Sequence, residues 1–289
     1  MRILILGGSG MLGHRLWLSL RDSYETWVTV RGSADPFPAR PEFPRERIRW
    51  NVDALAFDEI VRTLAAVRPD LVINCIGLIK QTQMANDPLS AIRVNALLPH
   101  QLALVCQSAG IRLIHISTDC VFSGKQGLYV EGDPADATDL YGRTKLLGEV
   151  GYDHTITLRT SIIGRELKAR LGLIEWFLAQ KDTINGFTRA IFSGLTTGEL
   201  GSVIRDYVIV RPDLCGVYHV SSEPISKYDL LAMAARLLAH PIEIRPFDEY
   251  AIDRSLDSRR FRMATGYEPP SWEAMIERLA QESPLYENP

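Results

Sequence analysis

The chain is poor in the residues that would tie it to a metal, a disulfide framework or a membrane. Its 289 residues include four cysteines, Cys75, Cys106, Cys120 and Cys215, and no two stand at the close spacing of a zinc knuckle or a redox dithiol. Scattered cysteines in a chain long enough to bury a large core are expected as free thiols in a reducing compartment. The six histidines, His14, His100, His115, His154, His219 and His240, do not cluster with carboxylates or cysteines at metal-ligand spacing. No metal is expected, and each ring is read as structural. The apolar opening, MRILILGG, is ended by glycines far short of a signal sequence or a bilayer span, and no later charge-free run approaches that length. The formal net charge of -3 gives no reason to expect nucleic acid or an anionic membrane as a partner. There is no internal repeat and no low-complexity segment. A reduced, cytoplasmic protein is expected.

What the chain does have is alternation. Arg2–Leu6 reads as a buried strand, Met11–Leu20 as a helix, Thr26–Val30 as a second strand, and Ala54–Val67 as a second helix capped by Asp53. The strand Leu71–Asn74, a long helix over Leu89–Ala109 and the strand Arg112–Ser117 continue the series. Such alternation predicts an α/β fold, a doubly wound parallel sheet covered by helices on both faces. Segment 32–44, with four prolines, and segment 123–139, rich in Gly, Asp and Pro, are expected as loops. After the strand Thr155–Arg159, helices at about 171–180, 197–210, 227–238 and 272–280 dominate, with one more strand at Val217–Val220. The expected organisation is a dinucleotide-binding domain over 1–164, to which 196–224 returns. A smaller, mostly helical C-terminal substrate lobe takes 165–195 and 225–289.

The first strand runs into Gly7-Gly8-Ser9-Gly10-Met11-Leu12-Gly13, and a helix begins inside that run. Gly7 permits the tight turn, Gly10 lets a pyrophosphate approach the helix N-terminus, and Gly13 lets the helix pack closely on the sheet. Placed directly after an N-terminal strand, the run points to a dinucleotide. NAD binders usually put an acid at the end of the second strand, on the ribose 2′-hydroxyl. Here Trp27-Val28-Thr29-Val30 ends in Arg31-Gly32-Ser33. A guanidinium there suits a 2′-phosphate, so NADP(H) is expected in preference to NAD(H).

Tyr141-Gly142-Arg143-Thr144-Lys145 opens a later helical stretch. Tyr and Lys four residues apart share a helix face and can reach one ligand. An ammonium near the phenol would lower the tyrosine pKa and make it a proton donor near neutral pH. Alone the pattern is a weak signal, but Ser117-Thr118-Asp119 stands at the end of a parallel strand, where open α/β sheets present their ligands. The Thr118 hydroxyl there can hydrogen-bond the carbonyl oxygen that Tyr141 protonates.

On these residues the chain resembles the extended short-chain dehydrogenases/reductases, which have a Rossmann fold, and among them the dTDP-4-dehydrorhamnose reductase group. The likeness is carried by Gly7 to Gly13, Asn74-Cys75-Ile76-Gly77, the STDCVFSG run 117–124, Tyr141 to Lys145, and Leu158-Arg159-Thr160-Ser161. It extends through Phe192-Ser193-Gly194-Leu195-Thr196 and Gly216 to Val220. The resemblance implies Thr118, Tyr141 and Lys145 as the catalytic triad, with Gly10, Met11, Leu12 and Arg31 around the cofactor. It places Asn51 and Val52 near adenine and Cys75, Ile76 and Gly77 along the cofactor, and makes Asn95 a structural support of the active site. The activity it implies is NADPH-dependent reduction of a keto group on a nucleotide-linked 4-keto-6-deoxy sugar held between the two lobes. A homodimer is the assembly it leaves open.

Three departures bear on that reading. Asn51 replaces the group's usual Asp. Cys120 stands where the group has an aromatic, and Ile162 where it has Trp. Thr118, Asp119, Cys120 and Ile162 are the expected substrate contacts, but a thymidine-linked sugar does not follow from them. Related sugar-nucleotide dehydratases carry Thr-Asp-Glu, and the Cys120 thiol cannot replace that carboxylate without a strongly lowered pKa. Two rivals remain at this level: an epimerase with tightly bound NAD, and a non-catalytic NADP-binding regulatory subunit like the relatives that regulate methionine adenosyltransferase. Lys80, Gln81 and Gln83 could edge the substrate site. Arg259, Arg260 and Arg262 are either a diphosphate clamp or a solvated face, and Trp176 and Trp272 read as core.

Overall fold

Continuous burial decides where the main sheet lies. In chain order its first half comprises β1 (Arg2–Leu6), α1 (Met11–Leu20), β2 (Glu25–Thr29), β3 (Ile48–Arg49), α2 (Phe57–Val67) and β4 (Leu71–Asn74). Then come α3 (Pro88–Ala91), a π-helical stretch Ile92–Leu97, α4 (Leu98–Ser108), β5 (Arg112–Thr118), α5 (Leu140–Leu147) and β6 (Thr155–Thr160). Ile3 to Leu6 of β1 are wholly buried, and β4 and β6 are buried along their full length. Strands hidden on both faces belong in a parallel sheet. The computed structural model, which describes residues 1–80, 86–168 and 170–286, has seven strands in the order β10-β6-β5-β4-β1-β2-β3, β10 being Gly216–His219. Every neighbouring pair is parallel. The order reverses between β1 and β4, which opens a crevice at their carboxyl ends.

Two apolar cores cover the sheet. On one face Leu16, Trp17 and Leu20 of α1 pack with Val203, Ile204, Met275 and Ile276; on the other Ile60 and Leu64 of α2 pack with Leu98, Leu102 and Cys106 of α4. The proline-rich segment 32–44 is irregular, yet it is more than a surface loop. Phe37 and Phe43 are buried and meet the Trp17 ring at 5.1 and 5.5 Å. The continuous helix Pro88–Ser108 would suit a bilayer span by length and composition, with Arg93 its one arginine and no lysine, aspartate or glutamate. Half of its most apolar window is buried against the protein, as a core helix is.

Further along the chain come β7 (Ile162–Ile163), α6 (Leu173–Leu178), β8 (Ile184–Phe192), β9 (Leu195–Thr196) and α7 (Thr197–Val203), the last followed by a π turn over Ile204–Val208 and packed on α1. After β10 come β11 (Ile225–Ser226), α8 (Lys227–Leu237), β12 (Ile244–Asp253), α9 (Arg259–Thr265) and α10 (Trp272–Gln281). The helices expected here are present, and α8 packs on a sheet ordered β11-β8-β12 that the apolar pattern did not announce. Trp272 is core, whereas Trp176 is 41% exposed on α6, contrary to expectation. Asp53 does not cap α2, which starts at Phe57 with Ala56 in the cap position. Instead the Asp53 carboxylate accepts from Leu55 N–H at 2.9 Å and its own N–H donates to Glu59 at 2.8 Å, closing a turn ahead of the helix.

Three buried histidines give the fold an acid limit. Burial holds His14 and His219 down to about 4, and His115 well below its ordinary value. The unfolded chain takes up those protons near 6.5 while the folded chain does not, so stability present above pH 6.5 is lost as pH falls toward 4. The melting temperature is expected to fall by several degrees between pH 6.5 and 5, ahead of most carboxylate protonation. Thermal melts that stay flat across that window would contradict neutral, buried rings.

Candidate active site

The glycine run closes the carboxyl end of β1. Gly7 has φ +83°, a left-handed turn that only glycine adopts at no cost. A Cβ on Gly13 would fall on the Gly7 carbonyl oxygen, well inside any real contact distance, so α1 approaches the turn only because position 13 has no side chain. Gly10 caps α1 with extended backbone, no side-chain cap bond and no acid in the first turn. The exposed N–H groups and the dipole of that terminus favour an anion. Thr29 Oγ1 accepts from Gly7 N–H at 3.0 Å and ties the turn to β2.

Beside this turn lies a cavity of about 210 Å³. Of the residues expected around a dinucleotide, Gly7, Gly10, Arg31, Val52, Cys75, Ile76 and Gly77 line it. Met11, Leu12 and Gly13 are not on its wall: Leu12 is buried in the core and Gly13 sets the helix approach. Asn51 is exposed with φ 57° and is not on the wall either, while Asp53 is. Asp53 and Thr29 escaped the sequence reading because each also has a local structural use. No alternation pattern marks a side chain that serves two purposes.

Asn95 sits in the π-helical stretch, 1% exposed, and supports this wall. Its Oδ1 accepts from Leu78 N–H at 2.8 Å, and its Nδ2 donates to the Leu78 carbonyl at 3.1 Å and to Thr144 Oγ1 at 3.3 Å. One amide thus joins the segment after β4 to α5.

Thr118 ends β5, accepts from Cys120 N–H at 3.1 Å and donates to Asp119 Oδ1 at 3.1 Å. Asp139 caps α5 by accepting from Gly142 N–H at 2.9 Å and pairs with Lys80 Nζ at 2.8 Å. Lys80 also lies 5.6 Å from the Tyr141 ring centroid, at the edge expected of it; Gln81 and Gln83 lie outside the described residues. Tyr141 is near enough to Thr118 for the hydroxyl to favour its phenolate. Lys145, one turn on, is buried and donates from Nζ to the Ile116 carbonyl at 2.7 Å. Burial pushes the Cys75 thiol up to about 12 against the lowering effect of Lys145, which links this group to the cavity wall.

The electrostatics correct one expectation. Burial first, then the neighbouring Cys120, Asp119 and Asp139, outweighs the lowering by Thr118 and pushes the Tyr141 phenol above its ordinary range. The Lys145 ammonium meanwhile addresses a carbonyl of β5. Burial also draws Lys145 down to about 8 and pushes the Cys120 thiol up to about 12, helped there by Asp119. Cys120 is thus an unreactive thiol at neutral pH. Burial raises Asp119, while Arg254 opposes the shift.

The other substrate candidates divide. Arg254, just past β12, was not anticipated; its Nη1 is 3.8 Å from Cys120 Sγ and its Nε donates to the Phe122 carbonyl at 2.9 Å. Ile162 lies two residues past Thr160, the β6 partner of Thr118, but pairs with Leu195 and packs on the α1 core. Of the late arginines, Arg259 pairs with Asp257 and Arg262 with Glu268, while Arg260 covers Tyr218 and donates to Val217 in the amino-terminal half of β10. They form separate side-chain pairs and not a clamp.

A doubly wound sheet, a glycine turn at its switch point and a Thr–Tyr–Lys group at the neighbouring strand end define a nucleotide-binding α/β protein equipped for carbonyl chemistry. The chain belongs to the family described as the RmlD substrate binding domain, whose model matches residues 1–284. It is similar to dTDP-4-dehydrorhamnose reductase of Streptomyces griseus, 28% identical with 95% of this chain and 91% of that one covered. It is likewise 29% identical to the probable low-salt glycan biosynthesis reductase Agl14 of Haloferax volcanii, over 76% of this chain and 74% of that protein. The fold matches the crystal structure of dTDP-4-dehydrorhamnose reductase from Bacillus anthracis str. Ames in complex with NADP. That match has a TM-score of 0.79 at 21% identity and covers 97% of this chain and 99% of that one.

Replacing Asn95 by Ala leaves the Leu78 N–H and carbonyl without partners, at a cost of about 1–3 kcal/mol. Urea unfolding should show that loss. An unchanged midpoint would mean that the amide does not tie the two segments together.

Proposed function

We propose that this protein reduces a ketone on a nucleotide-linked 4-keto-6-deoxy sugar with NADPH, Tyr141 donating the proton to the carbonyl oxygen. The observation that carries the reading is a half-buried Tyr141, its phenol pushed above the ordinary range beside Thr118, on a helix that also carries Lys145, next to a glycine-floored cavity. The cavity suits a dinucleotide phosphate: Gly7 and Gly10 line it without side chains, Gly13 lets α1 approach the turn, and Arg31 lines it from just past β2. NADPH, when bound, supplies the hydride for the carbonyl carbon. The protein's own residues do the rest. Thr118 orients the carbonyl oxygen, and the raised pKa of Tyr141 keeps its proton in place until an alkoxide develops to take it. Lys145 is positioned to hold the nicotinamide ribose.

The substrate lies, in this reading, between the sheet and the smaller lobe of 165–195 and 225–289. Arg254 supports that placement, since it brings the end of β12 to Cys120. An inert thiol at position 120 disfavours a dehydratase, and Arg31 favours an exchangeable phosphorylated cofactor over the retained NAD of an epimerase. Free cysteines throughout fit a reducing, cytoplasmic setting.

Tyr141→Phe is expected to abolish NADPH oxidation in the presence of 4-keto sugar nucleotides while leaving NADPH binding, read by fluorescence, nearly unchanged. Retained turnover would refute the role of the phenol. Arg31→Ala should weaken NADPH binding by at least about tenfold and leave NADH binding little altered; an equal loss for both would remove the 2′-phosphate assignment.

A further inference from the structure

One turn beyond Lys145, just past the end of α5, comes Glu149, whose N–H still donates to the Leu146 carbonyl at 3.1 Å. Lys145 and Glu149 reach adjacent residues of β5. Lys145 Nζ donates to the Ile116 carbonyl, and Ser117 Oγ donates to Glu149 Oε1, each at 2.7 Å. From β6, Arg159 grips the same carboxylate with both arms: Nε meets Oε1 and Nη2 meets Oε2, again at 2.7 Å each. The two side chains are 8% and 6% exposed. Ser117 and Arg159 are register partners in the sheet, so strand pairing itself fixes the grip. Arg159 is braced in turn by the Phe122 ring at 5.3 Å and by His219 Nε2 at 3.3 Å.

A buried ion pair of this kind contributes little net stability, because desolvation offsets the attraction. Its placement suggests a different use. Among the described residues, Cys75 at the end of β4 and His115 on β5 face Lys145, but burial keeps the thiol protonated and the ring neutral. Tyr141, on the same helix face, is a neutral phenol, and Asp119 is turned to Thr118. Glu149 is the carboxylate left to balance the ammonium.

We propose that Glu149 is a positioning residue: fixed by Arg159 and Ser117, its carboxylate keeps Lys145 charged and seated on β5 beside Tyr141. The proposal rests on the reductase reading for its functional meaning, but the charge state of Lys145 can be measured without turnover. Burial already draws this amine down to about 8, and Glu149 works against that pull. Without the carboxylate, the pull of burial on the ammonium would go largely unopposed.

The test compares the wild type with Glu149→Gln and with Glu149→Gln combined with Arg159→Met. The double variant also removes the guanidinium that Glu149→Gln alone would leave buried without its partner, and so guards against a simple folding failure. Lysine 13Cε resonances, with Lys145 assigned through Lys145→Arg, report its titration directly. The pH profile of kcat/KM for NADPH-dependent reduction reports its consequence. Both variants are expected to titrate Lys145 at least about one pH unit lower and to move the alkaline limb by the same amount, about tenfold in rate above it. A double variant that titrates Lys145 as the wild type does would overturn the proposal and leave a structural ion pair. A shifted titration in a protein that turns over no 4-keto sugar nucleotide would sustain the electrostatic role and refute the reductase reading.

Discussion

The approach of α1 to the turn that precedes it is the constraint on which the nucleotide cavity depends. Helix and turn share a space that has no room for a Cβ at Gly13. Any side chain there would lift the helix off the sheet and carry its N-terminal amides away from the switch point between β1 and β4. Leu16, Trp17 and Leu20 hold the helix down from the other side. A single absent carbon thus links the packing of the core to the geometry of an anion site, and neither could be altered alone.

The second theme is charge managed by depth. Around β5 the chain buries a phenol, a carboxylic acid, two thiols, two imidazoles and an ammonium, and burial favours the uncharged form of each. Tyr141, Cys75, Cys120, His115 and His219 all follow that rule. Lys145 yields only partly, because a carboxylate held by an arginine stands next to it. A site that must deliver a proton at one atom and keep a cation at another needs this unevenness. The sheet supplies it by placing Ser117 and Arg159 side by side.

The sheet was legible in the sequence because β1, β4 and β6 are buried on both faces and are made mostly of apolar and β-branched residues. The glycine turn was legible because its requirements are local steric ones. The three-stranded sheet of the smaller lobe was not: β8 (INGFTRAIF) and β12 (IRPFDEYAID) mix glycine, proline and charge, and are only partly buried. Asp53 looked like a helix cap because its carboxylate does bind a nearby backbone N–H, one turn too early. Tyr141 and Lys145 were visible by spacing, but the sign of the phenol's shift depends on burial depth and on its neighbours, which are tertiary facts. Arg254 and Glu149 had no motif to announce them. They matter through neighbours far away in the chain.

The π-helical stretch Ile92–Leu97 bears on how this sequence can change over time. Its wider turn carries one residue more than an α-helical turn needs, and it presents Asn95 to Leu78 and Thr144. Losing any one residue from the stretch would let it wind as ordinary α-helix with the flanking segments in much the same register, but it would withdraw Asn95 from Leu78 and Thr144. Substitutions along its outer face can accumulate singly, whereas a change of length there must be compensated at once. Among related chains, drift by replacement and drift by insertion or deletion should therefore run at very different rates through this one helix.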